Sequence, residues 1–136
     1  MFMRKAIVEI VKVSQLKFPA LLTKIKSAPS TLWVRGNPNL FHRPSVAIVG
    51  TRNVSREGKA LTQRLAEDLA RAGFLIVSGL AFGADAAAHK GALVVADAKA
   101  NPSEVGTGTT LAILASGVDE ITPRAHKRLA EEILAT

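Results

Sequence analysis

Three short aliphatic runs each break off at a glycine beside a hydroxyl residue. They are Val46-Ala47-Ile48-Val49 before Gly50-Thr51-Arg52, Phe74-Leu75-Ile76-Val77 before Ser78-Gly79, and Thr110-Leu111-Ala112-Ile113-Leu114 before Ser116-Gly117. Uninterrupted aliphatic strands of this kind suit a parallel sheet buried on both faces. Helical stretches lie between them. Ser55 reads as an N-cap, Leu61, Leu65 and Leu69 recur every four residues along one helix face, and Gly73 supplies a stop. A second helix is predicted from about Asp85 to Lys99, with Asn101-Pro102 as its terminator, and a last one from about Arg124. Strand, helix, strand, helix, strand predicts parallel strands with right-handed crossovers. The expected fold is therefore α/β: a Rossmann-like βαβαβ core with local strand order 3-2-1, half of a Rossmann-type sheet.

The first 45 residues read differently. Apolar positions at Ile7, Ile10, Val11, Leu21, Leu22 and Ile25 interleave with lysines, and Pro19 divides them into two short helical pieces. Thr31-Leu32-Trp33-Val34-Arg35 reads as a short strand closed by Gly36-Asn37-Pro38-Asn39. The expected organisation is a helical segment and strand over 1–45 and the core over 46–136, together one globular unit. A length of 136 residues suits one domain. Asn101 to Gly108 reads as a flexible loop.

In an open parallel sheet, ligands bind beyond the carboxyl ends of the strands. All three ends here offer a glycine, which lets backbone N–H groups approach a ligand, beside a hydroxyl or a cation. Helices begin just past them with free N–H groups and the positive end of the macrodipole. That describes a phosphate-binding rim, and Arg52 adds a guanidinium able to grip phosphate or stack on a base. The net charge of +7 points the same way, toward polyanions.

Catalytic and cofactor motifs are missing. Gly50 to Gly58 does not spell G-x-G-x-x-G, and no Gly-Lys-Ser/Thr follows a glycine-rich loop. There is no cysteine, and His42, His89 and His126 are widely scattered, so neither a metal site nor a cofactor is expected. Asp85 and His89, four apart, share a helix face and read as a capping Asp bonded to a neighbouring His. Met1 to Leu16 is broken by charges and lacks a signal peptide's core, and the longest uncharged stretch, Phe74 to Ala84, is too short to span a membrane. A soluble, cytoplasmic, non-enzymatic protein is expected.

The same residues resemble the DNA-processing protein A (DprA, also called Smf) family. Val46 to Arg52, with Ser55 and Gly58, is similar to its first strand and G-[ST]-R loop. Ser78-Gly79-Leu80-Ala81-Phe82-Gly83-Ala84-Asp85 followed by Ala88-His89-Lys90-Gly91-Ala92-Leu93 resembles its most distinctive signature. Phe18-Pro19, Leu32 to Asn37, and Leu114 to Asp119 are similar to further family segments. Departures are Phe82, where many relatives carry Arg or Tyr, Ala84 in place of Ile, and Thr122-Pro123 in place of tyrosine-proline. The resemblance implies binding of single-stranded DNA in a positive pocket at the strand ends, delivery to the recombinase RecA during natural transformation, and dimerisation. Carried onto this chain, the pocket comprises Gly50, Thr51, Arg52, Ser55, Ser78, Gly79, Ser116 and Gly117, with Lys90 as a weaker member. Apart from the resemblance, Phe82 beside the strand-end rim is the one aromatic placed to stack on a base, with packing into the core as the equal alternative.

Family members continue beyond the point matched by Thr136, through further strands. A sheet with half its strands leaves the first strand with an open edge, and the expectation is that the amino-terminal strand or another chain covers it. Two other readings stand beside DNA binding. One is a nucleotide-binding or phosphoribohydrolase-like domain of the LOG type, whose P-G-G-x-G-T-x-x-E motif Val105 to Leu111 lacks. The other is a scaffold that folds or dimerises without strong DNA binding.

Overall fold

The computed structural model describes residues 9–14, 17–98 and 109–136. The core sheet has three parallel strands, β3 (Ser45–Ala47), β4 (Leu75–Ser78) and β5 (Thr110–Ala112), with β4 in the middle. Val46 pairs with Ile76 and Ile76 with Thr110, and this is the expected local order. The β4 strand is central because it is aliphatic on both faces. Leu75 and Ile76 are almost completely buried, each worth about 1.5–3 kcal/mol in transfer free energy.

Two helices cover one face, α1 (Arg56–Arg71) and α2 (Ala84–Ala98). Their contact is built from small residues: Ala66 and Ala70 of α1 meet Ala88, Ala92 and Val95 of α2 over Ile76. The backbones come so close that a Cβ on Gly91 would lie 2.1 Å from the Gln63 carbonyl oxygen. This close approach changes the meaning of the leucine stripe. Only Leu69 packs against the core, while Leu61 is 70% exposed and Leu65 is also exposed. Burial follows the alanines because only they permit that spacing. A short helix α3 (Lys127–Leu134), entered through a 3-10 turn at Arg124–His126, closes a second cluster of Leu80, Ala86, Leu93, Leu129 and Ala130.

The amino-terminal segment departs from the helical expectation. Its described part forms strand β1 (Ile10–Ser14), a 3-10 turn at Leu22–Lys24, and strand β2 (Thr31–Arg35), the last as predicted. The β1 and β2 strands pair antiparallel, with Lys12 opposite Trp33. Three of the five β1 residues are β-branched aliphatics, which favour a pleated surface, and Val13 joins Val34 and Phe18 in a small core of its own. That burial outweighs the helical spacing. The β1–β2 sheet is separate from the core sheet. The amino-terminal strand therefore does not cover the edge of β3, which among the described residues bonds only to β4. Val49, just past β3, is 77% exposed.

The two sheets and the end of α3 enclose a cleft of about 1110 Å³, lined by Leu75, Val77 and Leu111 on one side and by Leu32, Val34 and Ile133 on the others. The predicted loop at Asn101–Gly108 lies outside the described residues. Among the described residues, no helix is long and apolar enough to cross a membrane.

Candidate nucleic-acid interface

The carboxyl ends of the three strands form one rim, as parallel order requires, but they are not equivalent. At the end of β3, Gly50, Thr51, Arg52 and Ser55 are all exposed. The Thr51 hydroxyl accepts from the Asn53 amide at 3.1 Å, and the Ser55 hydroxyl accepts from the Gly58 amide at 3.0 Å, capping α1 as the sequence predicts. Arg52 has no hydrogen-bond or ion-pair partner among the described residues, so its guanidinium is open to a ligand.

The loop after β3 is locked to the start of α2. The Ala84 amide donates to the Thr51 carbonyl at 3.1 Å, so a backbone oxygen of the protein meets this helix end. Gly83 makes the approach possible. Its φ is +80°, and a Cβ there would lie 2.2 Å from the Thr51 carbonyl oxygen.

At the end of β4 the chemistry turns inward. Ser78 is buried and donates its hydroxyl to the Ile48 carbonyl at 2.6 Å, bracing β4 against the end of β3. The Gly79 carbonyl accepts from His89 Nε2, and the Asp85 carboxylate lies 2.5 Å from where a Gly79 Cβ would sit. His89 therefore bonds to Gly79 and Thr110, not to Asp85, contrary to the predicted cap. Burial pushes the His89 imidazole below its ordinary value of 6.5, opposed by the Gly79 hydrogen bond and by Asp85 and reinforced by His126. At the end of β5, Ser116 is half-buried and Gly117 is exposed, with an Asp119 carboxylate oxygen 2.5 Å from where a Gly117 Cβ would sit. Carboxylates thus stand by the second and third strand ends, and the exposed cation Arg52 stands by the first. An anion is favoured at the β3 end.

Phe82 is 49% exposed on the loop between β4 and α2, and its ring packs edge-to-face with His126, the ring centroids 4.8 Å apart. His126 is held in turn by donating Nδ1–H to the Leu80 carbonyl at 2.7 Å. The ring is positioned from behind and left partly open, which suits a stacking surface. Lys90 is exposed but lies six residues into α2, roughly 9 Å along its axis, away from the loops.

Sequence reasoning passed over His126 and its neighbours Arg124 and Lys127, both exposed. A readable signal existed. The first turn of α3 carries no acid, against the usual preference for negative charge at a helix start.

Comparison with known proteins settles the family. A profile described as DNA recombination-mediator protein A matches residues 9–136. The chain belongs to this family. Protein Smf of Synechocystis sp. is 39% identical over 124 residues, covering 87% of this chain and 28% of the relative. DNA processing protein DprA of Streptococcus pneumoniae is 36% identical over 116 residues, covering 85% of this chain and 37% of the relative. The chain therefore spans well under half the length of these relatives. The solved S. pneumoniae DprA superposes with a TM-score of 0.77 at 35% identity over 92% of this chain and 41% of its own. DNA processing protein A from Helicobacter pylori, solved for insight into its single-stranded DNA binding mode, superposes with a TM-score of 0.75 at 27% identity, over 93% of this chain and 52% of its own.

Proposed function

We propose that this chain binds single-stranded DNA without reading its sequence, at the β3 end of the strand-end rim, as a short non-catalytic member of the recombination-mediator family. The observation that carries this reading is the exposed Arg52, with no hydrogen-bond or ion-pair partner among the described residues, on a loop whose backbone meets Gly83, next in the chain to the partly open ring of Phe82. Cation and aromatic together supply the two elements of sequence-tolerant single-strand binding, phosphate attraction and base stacking. The likeness to the H. pylori protein, whose structure concerns single-stranded DNA, supports the same ligand.

Gly50, Thr51, Arg52 and Ser55 cradle phosphate, and Phe82 stacks on a neighbouring base. Ser78 and Gly79 act behind them by fixing the loops, while Ser116, Gly117 and Lys90 mark the outer limit of the path. Delivery of the strand to RecA during DNA uptake and recombination in the cytoplasm is the role that family membership suggests.

The test is titration of the chain against a labelled oligo-dT at low and moderate salt, with a duplex and a mononucleotide as controls. Salt-sensitive binding of the single strand is expected, because bound phosphates release counterions. Arg52→Ala should weaken it and reduce the salt slope by about one unit. A folded chain that ignores the oligonucleotide would show that this half of the fold is a scaffold. Stabilisation by the mononucleotide alone would favour a nucleotide-binding domain.

A further inference from the structure

The excess positive charge of this protein is not carried by the part of the chain that forms its strand-end rim. Residues 44–136 contain ten Lys or Arg and ten Asp or Glu, so they are neutral as a set. The whole net charge of +7 falls within residues 1–43, which hold eight Lys or Arg against Glu9 alone. In the core, Arg64, Arg71 and Arg128 are further engaged with Asp68, Glu67 and Glu132. In the amino-terminal segment Lys12, Lys17, Lys24 and Lys26 are exposed, and they form no ion pair among the described residues.

The β1–β2 sheet arranges part of this charge around an aromatic ring. Its register puts Ile10, Lys12 and Ser14 on one face with Thr31, Trp33 and Arg35, opposite the face that carries Val13 and Val34. Trp33 is 60% exposed, and the Lys12 ammonium stands 5.8 Å from its ring centroid. Arg35 lies two residues along the same face. An exposed indole with a cation held against it and another beside it is costly to leave in water and well suited to a base with its flanking phosphates.

We propose that this Lys12–Trp33 face of the β1–β2 sheet, whose Ile10, Trp33 and Arg35 also border the cleft, is a second contact for single-stranded nucleic acid. One base stacks on Trp33, and Lys12 and Arg35 meet the phosphates on either side of it. The ligand class rests on the single-strand reading above. The location does not, because it follows from the charge distribution and the exposed indole.

The chain contains one tryptophan and no tyrosine, so tryptophan emission reports Trp33 alone. The full chain is titrated with a labelled oligo-dT while label anisotropy and Trp33 emission are followed together. The expected result is a change in emission that tracks the anisotropy curve. Trp33→Ala should weaken binding by roughly tenfold, as loss of one base stack does, and Trp33→Phe should restore most of it. Lys12→Ala should reduce the salt slope by about one unit. Arg52→Ala should weaken binding yet leave the emission change at saturation intact.

Anisotropy that titrates normally while emission stays constant, with Trp33→Ala binding like the parent, would overturn the second contact and leave the rim reading standing. An equal emission response to polyglutamate would overturn it in favour of unspecific charge. An emission change that depends on protein concentration without DNA would overturn it in favour of a second copy of the chain. A folded chain that gives no anisotropy change would overturn both readings.

Discussion

His89 Nδ1 lies 2.7 Å from the Thr110 hydroxyl oxygen, fully buried between α2 and β5. The other ring nitrogen donates to the Gly79 carbonyl, and the Thr110 hydroxyl lies 2.9 Å from the Ile76 carbonyl. One imidazole thereby ties a strand-end loop, a helix and the interior of the sheet together. Burial disfavours its charged form.

Stability should therefore fall in acid. The unfolded chain protonates His89 near pH 6.5, whereas the folded chain does so only at lower pH. The His89 contribution is complete above about pH 6.5 and declines below it, by at most about 1.4 kcal/mol per pH unit, until the folded group also titrates. Urea denaturation at a series of pH values checks this. His89→Gln should be less stable at neutral pH but lose less on acidification, and an unchanged pH slope would assign the acid sensitivity elsewhere.

Gly83→Ala should destabilise the protein by at least about 2 kcal/mol, since the residue combines a positive φ with backbone contact to Thr51. Because the displaced atoms belong to the Arg52 loop, oligonucleotide affinity should drop as well. Thermal melting and a binding titration on the folded fraction separate the two effects. Wild-type values in both would mean the loops yield without resistance.

Asp85→Asn should strengthen binding of single-stranded DNA while weakening the fold slightly. The carboxylate stands beside Gly79 at the strand-end rim, where it opposes phosphate. It also stands in the first turn of α2, where negative charge contributes about 0.3–1 kcal/mol. Opposite signs in a melting curve and a binding curve are the expected signature. An unchanged affinity would place the DNA path away from the β4 end.

The β3 edge should make the chain self-associate. Ser45 and Ala47 are exposed, no charge interrupts Ser45 to Val49, and Val49, Leu61 and Leu65 add exposed apolar surface. Natural edges are usually protected by lysine, proline or a bulge. Sedimentation should show mass rising with concentration, and Ala47→Lys should shift the chain toward monomer. A strict monomer at high concentration would show that the edge is inert.

Much of this architecture was legible in the sequence because its signals are local. The three aliphatic strands, the Ser55 cap and the Gly73 stop each depend on residues close together in the chain, and each lies within a residue or two of its predicted place. Parallel order followed from the alternation of elements. The β1 strand was obscured by lysines at helical spacing, although Val11 and Val13 flanking Lys12 already alternate with period two. The leucine stripe misled for a different reason. Which face of α1 is buried depends on how closely α2 approaches, and that is set by Gly91 and the alanines of another element.

The site was half visible. Glycines and hydroxyls at strand ends announced a rim, but they could not show that Ser78 turns inward or that Asp85 and Asp119 flank two of its three ends. The support of Phe82 by His126 joins residues far apart in sequence and leaves no local trace.

The lock between Thr51 and the start of α2 has a consequence for how such sequences change over generations. Gly83 tolerates no side chain as long as the Thr51 carbonyl stays where it is, and that carbonyl is held by Ala84. The two loops, some thirty residues apart in the chain, are therefore physically constrained as one piece. A side chain at Gly83 should be tolerated only together with a change that moves the Thr51 loop.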